Sequence, residues 1–193
     1  MTTEAPLMAT RTVDGKEVPV AGTWNLDATH TTITFEVRHM MISKVRGSFG
    51  GSSGTIEVAE DPAKSTLEVT IDTASVESGT EDRDNDLRSP NFFDVENHPQ
   101  MTFRSSGVET LGDGYRVDGE LTIKGVTRSV ALDFEFTGGL VDPYGMQRVA
   151  FSASTEIDRE DWDLTYNMAL ETGGVMVGKQ IKISIDTEAV KAS

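Results

Sequence analysis

From Gly22 onward, apolar and polar side chains alternate along the chain with a period of two. In Ile33-Thr34-Phe35-Glu36-Val37-Arg38-His39 the apolar groups fall on one parity. The same holds for Leu67-Glu68-Val69-Thr70-Ile71-Asp72, Leu121-Thr122-Ile123, Val130-Ala131-Leu132-Asp133-Phe134-Glu135-Phe136 and Ile181-Lys182-Ile183-Ser184-Ile185. Successive side chains of a strand point to opposite faces, so each run predicts a strand with one apolar and one wetted face. Asp113-Gly114 predicts a tight hairpin, because Asp-Gly accepts the positive φ angles of such a turn. Gly50-Gly51-Ser52-Ser53-Gly54 and Lys124-Gly125 are weaker turn signals, and Gly138 to Gly145 reads as a longer loop between two strands.

The alternation breaks between Glu81 and Pro99. There Arg83, Leu87 and Asn91 share one helical face, which predicts a short helix ending near Pro90. Residues 1–21 read as a polar extension with one turn at Asp14-Gly15, and residues 22–193 as one domain. The expected class is therefore all-β: roughly seven to nine antiparallel strands with a short helical insert. A closed barrel and a two-sheet sandwich both produce this pattern. Closure would remove exposed edges, and about eight strands is the size at which a barrel interior can hold a ligand.

Composition narrows the function. At 193 residues, with 37% hydrophobic and 25% charged, the chain suits one folded domain. A net charge of −15 repels phosphate-rich partners, so nucleic acid and an anionic membrane surface are not expected. No cysteine is present, which excludes disulfides, thiolate catalysis and Cys-based metal sites. No apolar run approaches the length of a membrane-spanning helix, and the first residues lack the apolar core of a secretion signal. The expectation is a cytoplasmic protein without stable membrane insertion.

Candidate chemistry is sparse. His39 shares parity with Ile33, Phe35 and Val37 and so points inward, while His30 and His98 lie outside that run; no metal site is expected. Asp82-Arg83-Asp84-Asn85-Asp86 opens like a calcium loop but places Leu87 where the turn needs Gly and Phe93 where a bidentate Glu belongs. There is no nucleophile elbow and no phosphate-cradling glycine loop, so no catalytic residue is assigned. The aromatic residues carry more. Phe35, Phe103, Phe134, Phe136 and Phe151 lie in strand-like runs, and Phe92, Phe93 and Trp162 flank the irregular segments that would close a barrel mouth.

Six blocks, in order, resemble the YceI-like family. They are Gly22–His30, Phe35–Met40, Val45–Gly50, Arg83–Val95, Pro99–Ser105 and Gly119–Thr127, and the likeness extends over about Gly22 to Glu188. The resemblance implies an extended, lipocalin-like antiparallel β-barrel whose long pocket takes a polyisoprenoid or another amphiphilic lipid. It implies binding without established catalysis, no cofactor beyond the bound lipid, and a possible homodimer. Two departures stand out: many members carry a signal peptide, and the Arg-plus-aromatic-Gly step of the family reads Arg159-Glu160-Asp161-Trp162-Asp163-Leu164 here.

On this reading the ligand wall comprises Phe35, Val37, His39, Val69, Leu87, Phe92, Phe93, Phe103, Leu121, Ile123, Phe134, Phe136, Phe151 and Trp162. Asp27, His30 and Arg83, with His39, are expected to meet the head group. The function expected is carriage or storage of a polyisoprenoid or isoprenoid quinone. The alternatives are an enzyme acting on an isoprenoid or another small apolar substrate through His39 and a buried carboxylate, and a structural or interaction module whose aromatics fill the core.

Overall fold

The computed structural model of the chain describes residues 8–171 and 173–192. A first hairpin, β1 (Thr10–Val13) and β2 (Lys16–Pro19), turns at Asp14-Gly15, both with positive φ. The main sheet contains β3 (Gly22–His39), β4 (Ser43–Phe49), β5 (Ser52–Val58), β6 (Thr66–Asp72), β7 (Val76–Glu77), β8 (Gln100–Leu111), β9 (Gly114–Ile123), β10 (Val126–Val141), β11 (Gln147–Asp158) and β12 (Val177–Lys191). One helix, α1 (Glu81–Arg88), lies between β7 and β8.

Antiparallel pairing runs in the order β12-β11-β10-β9-β8-β6-β5-β3, and β12 pairs with β3 to close the ring. The result is the barrel, not the sandwich. β5 pairs with the first residues of β3 (Gly22–Asn25) and β4 with its last (Ile33–His39), so β4 and β5 together line one side of a single long strand. β7 in turn pairs with β4 at Ser48 and Phe49.

Parity sets the polarity of the wall. Phe35, Val37, Val69, Phe103, Leu121, Leu132 and Ile183 face the interior, and Glu36, Glu68, Thr70, Glu120, Asp133 and Lys182 alternate with them on the outside. A barrel that spans a membrane carries its apolar band outside, so this one has the reverse arrangement. No helix among the described residues is long and apolar enough to cross a bilayer.

Three local expectations shift. The β8–β9 turn is Gly112-Asp113, one residue earlier than the Asp-Gly signal, because Gly112 supplies the positive φ of 55° at the first position. The segment read as a loop from Gly138 remains in β10 as far as Val141. A bulge between Phe136 and Gly138 lets the strand continue in pairing with β11, leaving only residues 142–146 as the connection. Asn91 lies beyond α1, which ends at Arg88 two residues before Pro90.

The stretch read as a polar extension packs onto the barrel end that carries the first residues of β3 and the last of β12. Ala9 and Val18 are buried, Val20 accepts a hydrogen bond from the fully buried Trp24 Nε1 (3.0 Å), and Arg11 reaches the carbonyls of Ala59 and Glu60. Gly139 is what admits the hairpin, since a Cβ there would lie 2.7 Å from the Thr10 methyl.

Candidate functional site

Inside the barrel lies an elongated cavity of about 270 Å³. By the same measure one water needs ~10–15 Å³, so this is no packing void, and it approaches the scale of small-molecule pockets. Inward positions of every strand of the ring contribute to its wall, among them Leu26, Ile56, Val69, Phe103, Leu121, Phe134, Phe151 and Ile185. The lining is aliphatic and aromatic over most of its length.

Glycines keep the aromatics flat against the wall. Phe35 stands opposite Gly47, where a Cβ would come within 2.3 Å of the ring, and a Cβ on Gly119 would lie 2.4 Å from the Phe103 ring. Any side chain at either glycine would drive the ring inward.

Two irregular segments cover the end where β3 stops and β12 starts. The first is α1 with residues 89–99. Acidic residues in its first turn (Glu81, Asp82, Asp84) suit the positive end of the helix dipole. Arg88 ties its far end to the carbonyls of Ala74 (3.0 Å) and Val76 (2.6 Å). Two of the acids that mimic a calcium loop are engaged internally: Asp84 accepts from Ser78 N, and Asp86 from Asn91 Nδ2. Leu87 and Phe93 turn toward the core, and the Phe93 ring meets Phe49 edge-on at 5.4 Å. The second segment runs from Arg159 to Met176. It meets the first where Phe92 packs edge-on against Tyr166 at 5.5 Å.

Of the wall residues expected from sequence, Phe35, Val37, His39, Val69, Leu87, Phe92, Phe93, Phe103, Leu121, Ile123, Phe134 and Phe151 line the cavity, as does Arg83. Phe136 and Trp162 do not. Phe136 packs against the ring of Phe151, its direct partner on β11 (5.6 Å between ring centres), as part of the core. Trp162 is buried in the packing around β9 and donates its indole N–H to the Leu121 carbonyl (2.9 Å). It belongs to the core cluster and is not part of the cavity lining.

Asp27 and His30 are likewise misplaced by the sequence reading. The strand between Asp27 and His39 spans up to ~40 Å, so these residues belong to opposite ends of the barrel. Between Leu26 and Thr31, β3 bulges away from its pairing with β12, and the bulge is closed by Asp27 accepting from Thr29 N (3.0 Å) and Oγ1 (2.6 Å). Asp27 there bonds His30 (2.9 Å) and Arg148 (2.8 Å), and Arg148 also reaches Asp142 (2.8 Å) and Glu188 (3.2 Å). Bonds from Thr29 and the Arg148 guanidinium hold the Asp27 carboxyl far below its ordinary range, and Arg148 lowers Asp142 as well. Asp27, His30 and Glu188 also form a trio of ligand-capable side chains, but Arg148 already bonds both carboxylates and supplies the cation there. The cluster ties β3, β11, β12 and the 142–146 connection together outside the cavity.

Sequence reasoning missed several polar wall residues, of which Arg159 is the most deeply buried charge. Arg159 continues the inward parity of Phe151, Ala153, Thr155 and Ile157, lines the cavity, and is only 3% exposed. Its side chain donates to the carbonyls of Gly178 (2.9 Å), Leu164 and Val177 (3.4 Å). Parity alone could have found it. Deeper in, the hydroxyls of Thr31 and Thr187 bond each other at 2.7 Å.

The geometry has counterparts. The sequence profile of the YceI-like domain matches residues 24–189. A UPF0312 protein of Staphylococcus epidermidis is 37% identical over 167 residues, covering 86% of this chain and 95% of that one. Among solved structures, the YCEI protein of Campylobacter jejuni superposes with a TM-score of 0.69 at 30% identity, covering 81% of this chain and 90% of that one. A polyisoprenoid-binding domain from Saccharophagus degradans shares the fold at a TM-score of 0.64 and 17% identity, over 89% and 99% of the two chains. With its closed eight-stranded ring and a profile match over nearly all of that ring, this chain belongs to the YceI-like domain family.

Proposed function

We propose that the protein binds a long apolar lipid, a polyisoprenoid or isoprenoid quinone, inside the barrel and carries or stores it without transforming it. The observation that carries this reading is the largely apolar cavity inside the barrel, to which every strand of the ring contributes inward side chains. A structural module with a packed core would have filled that space. The polyisoprenoid-binding domain of Saccharophagus degradans has the same fold, which supports this ligand class.

The energetics suit the proposal. Burying hydrocarbon contributes about 0.8 kcal/mol per CH₂, so a few isoprene units exceed the ~8 kcal/mol of micromolar binding before ordering costs are subtracted. The wall supplies contact area, and its few polar groups supply orientation. Catalysis has less support. His39 on the wall is set among apolar neighbours, and the strongly perturbed Asp27 carboxyl lies in the outer ion cluster.

Titration with retinol, a fluorescent isoprenoid, followed by competition with geranylgeraniol, tests the reading. Saturable micromolar binding is expected, weakened at least ~tenfold in Ala153→Trp, which fills mid-cavity volume. Binding that Ala153→Trp leaves unchanged would place the ligand elsewhere and refute the proposal.

A further inference from the structure

The exterior is strongly acidic, with a chain charge of −15, yet the formally charged residues on the cavity wall are Arg83, Asp86 and Arg159. Arg83 and Asp86 sit on α1 and have polar partners there, Thr80 for the one and Ser89 and Asn91 for the other. Arg159 is different. It is 3% exposed and, among the described residues, no carboxylate lies within ion-pair distance of it. The neighbouring Glu160 is engaged with Lys179 at 2.6 Å, and the Asp158 side chain accepts from Glu160 N at 2.9 Å.

A guanidinium offers five N–H donors and cannot shed its charge in a protein. Backbone carbonyls take three of these donors, and the Nη2 bond to Val177 is long at 3.4 Å. Both terminal nitrogens therefore keep donor capacity, on a wall that is mostly apolar. A buried cation without a counter-ion is costly, and a charged acceptor brought by the ligand would relieve that cost.

We propose that Arg159 is the head-group site, binding an anionic oxygen, carboxylate or phosphate, at the terminus of the apolar ligand. This deepens the carrier reading and rests on it. The carbonyls of Leu164, Val177 and Gly178 hold the guanidinium as a fixed fork, which suits two-point recognition of a carboxylate or phosphate. The group sits where β11 ends and β12 begins, so the hydrocarbon tail would run from there along the barrel toward Leu26 and the first hairpin.

The test compares farnesol, farnesoic acid and farnesyl monophosphate, which share one chain and differ only at its end. Calorimetric titration of the wild-type protein at neutral pH is expected to show at least one anion binding about tenfold or more tighter than farnesol. Arg159→Met should abolish that preference while leaving farnesol affinity within about threefold, and Arg116→Met, on the outer face of the barrel, should retain it. Whichever anion binds tighter names the group. Equal affinities in the wild-type protein would overturn the assignment whether or not the Arg159 variants fold, and so would a preference that survives in folded Arg159→Met. If none of the three ligands binds, the carrier reading itself fails and this assignment falls with it.

Discussion

At the scale of single residues, the cavity exists because small positions face large ones. Gly119 lies under Phe103 and Gly47 under Phe35, so each ring lies along the wall and leaves the middle open. Gly119→Val would place new atoms against both the Phe103 ring and the Arg104 carbonyl, 2.6 Å from the added Cβ. The expected result is a loss of about 1–3 kcal/mol in urea unfolding and weaker retinol binding as the ring swings inward. The ion cluster makes a separate prediction. Asp27 and Asp142 have folded-state pKa values below the ordinary 3.8 because of Arg148 and local hydrogen bonds. Their contribution to stability is therefore present above about pH 4 and is lost as pH falls through the folded values. Arg148→Met should lower the melting temperature at neutral pH, and its pH curve should converge with that of the wild type in acid. Superimposed curves would show that the cluster adds nothing to folding.

At the scale of elements, alternation made most strands legible, and the interior face with them. Parity placed Val69, Phe103, Leu121 and Ile123 on the cavity correctly, since the register holds at each of them. It failed where the register shifts. The bulges at Asp27–His30 and at Phe136/Gly138 rest on hydrogen bonds and strand pairing that no local pattern encodes. Trp162 was misread because it lies in a turn, where side-chain direction follows from the path of the chain and not from parity. The first hairpin was hidden by its polar composition: among its described residues Ala9, Val18 and Pro19 are the buried ones. Deleting residues 1–20 removes these contacts together with the Trp24–Val20 hydrogen bond. A drop of about 3 kcal/mol in stability is expected, with the barrel still folded, and chemical denaturation would measure it. An unchanged midpoint would mean that the hairpin is not part of the core.

At the scale of the whole molecule, the barrel separates two surfaces by strand parity: an acidic exterior and an apolar interior. Closure of β12 onto β3 decides which residues meet across the space, and that closure could not be read from the chain, because a sandwich carries the same alternation. The family resemblance supplied the architecture that periodicity left open, and the profile match over residues 24–189 agrees with it. What the resemblance did not supply was the location of Arg159 or the plugging of the far end by the hairpin, both of which depend on residues brought together by the fold. The most direct measurement is native mass spectrometry of the purified protein, followed by organic extraction and identification of what is released. The account predicts a mass above that of the bare chain and an extract with isoprenoid fragmentation, retained in His39→Ala because no chemistry is asked of that residue. A bare mass that persists after incubation with prenyl lipids and isoprenoid quinones would contradict it.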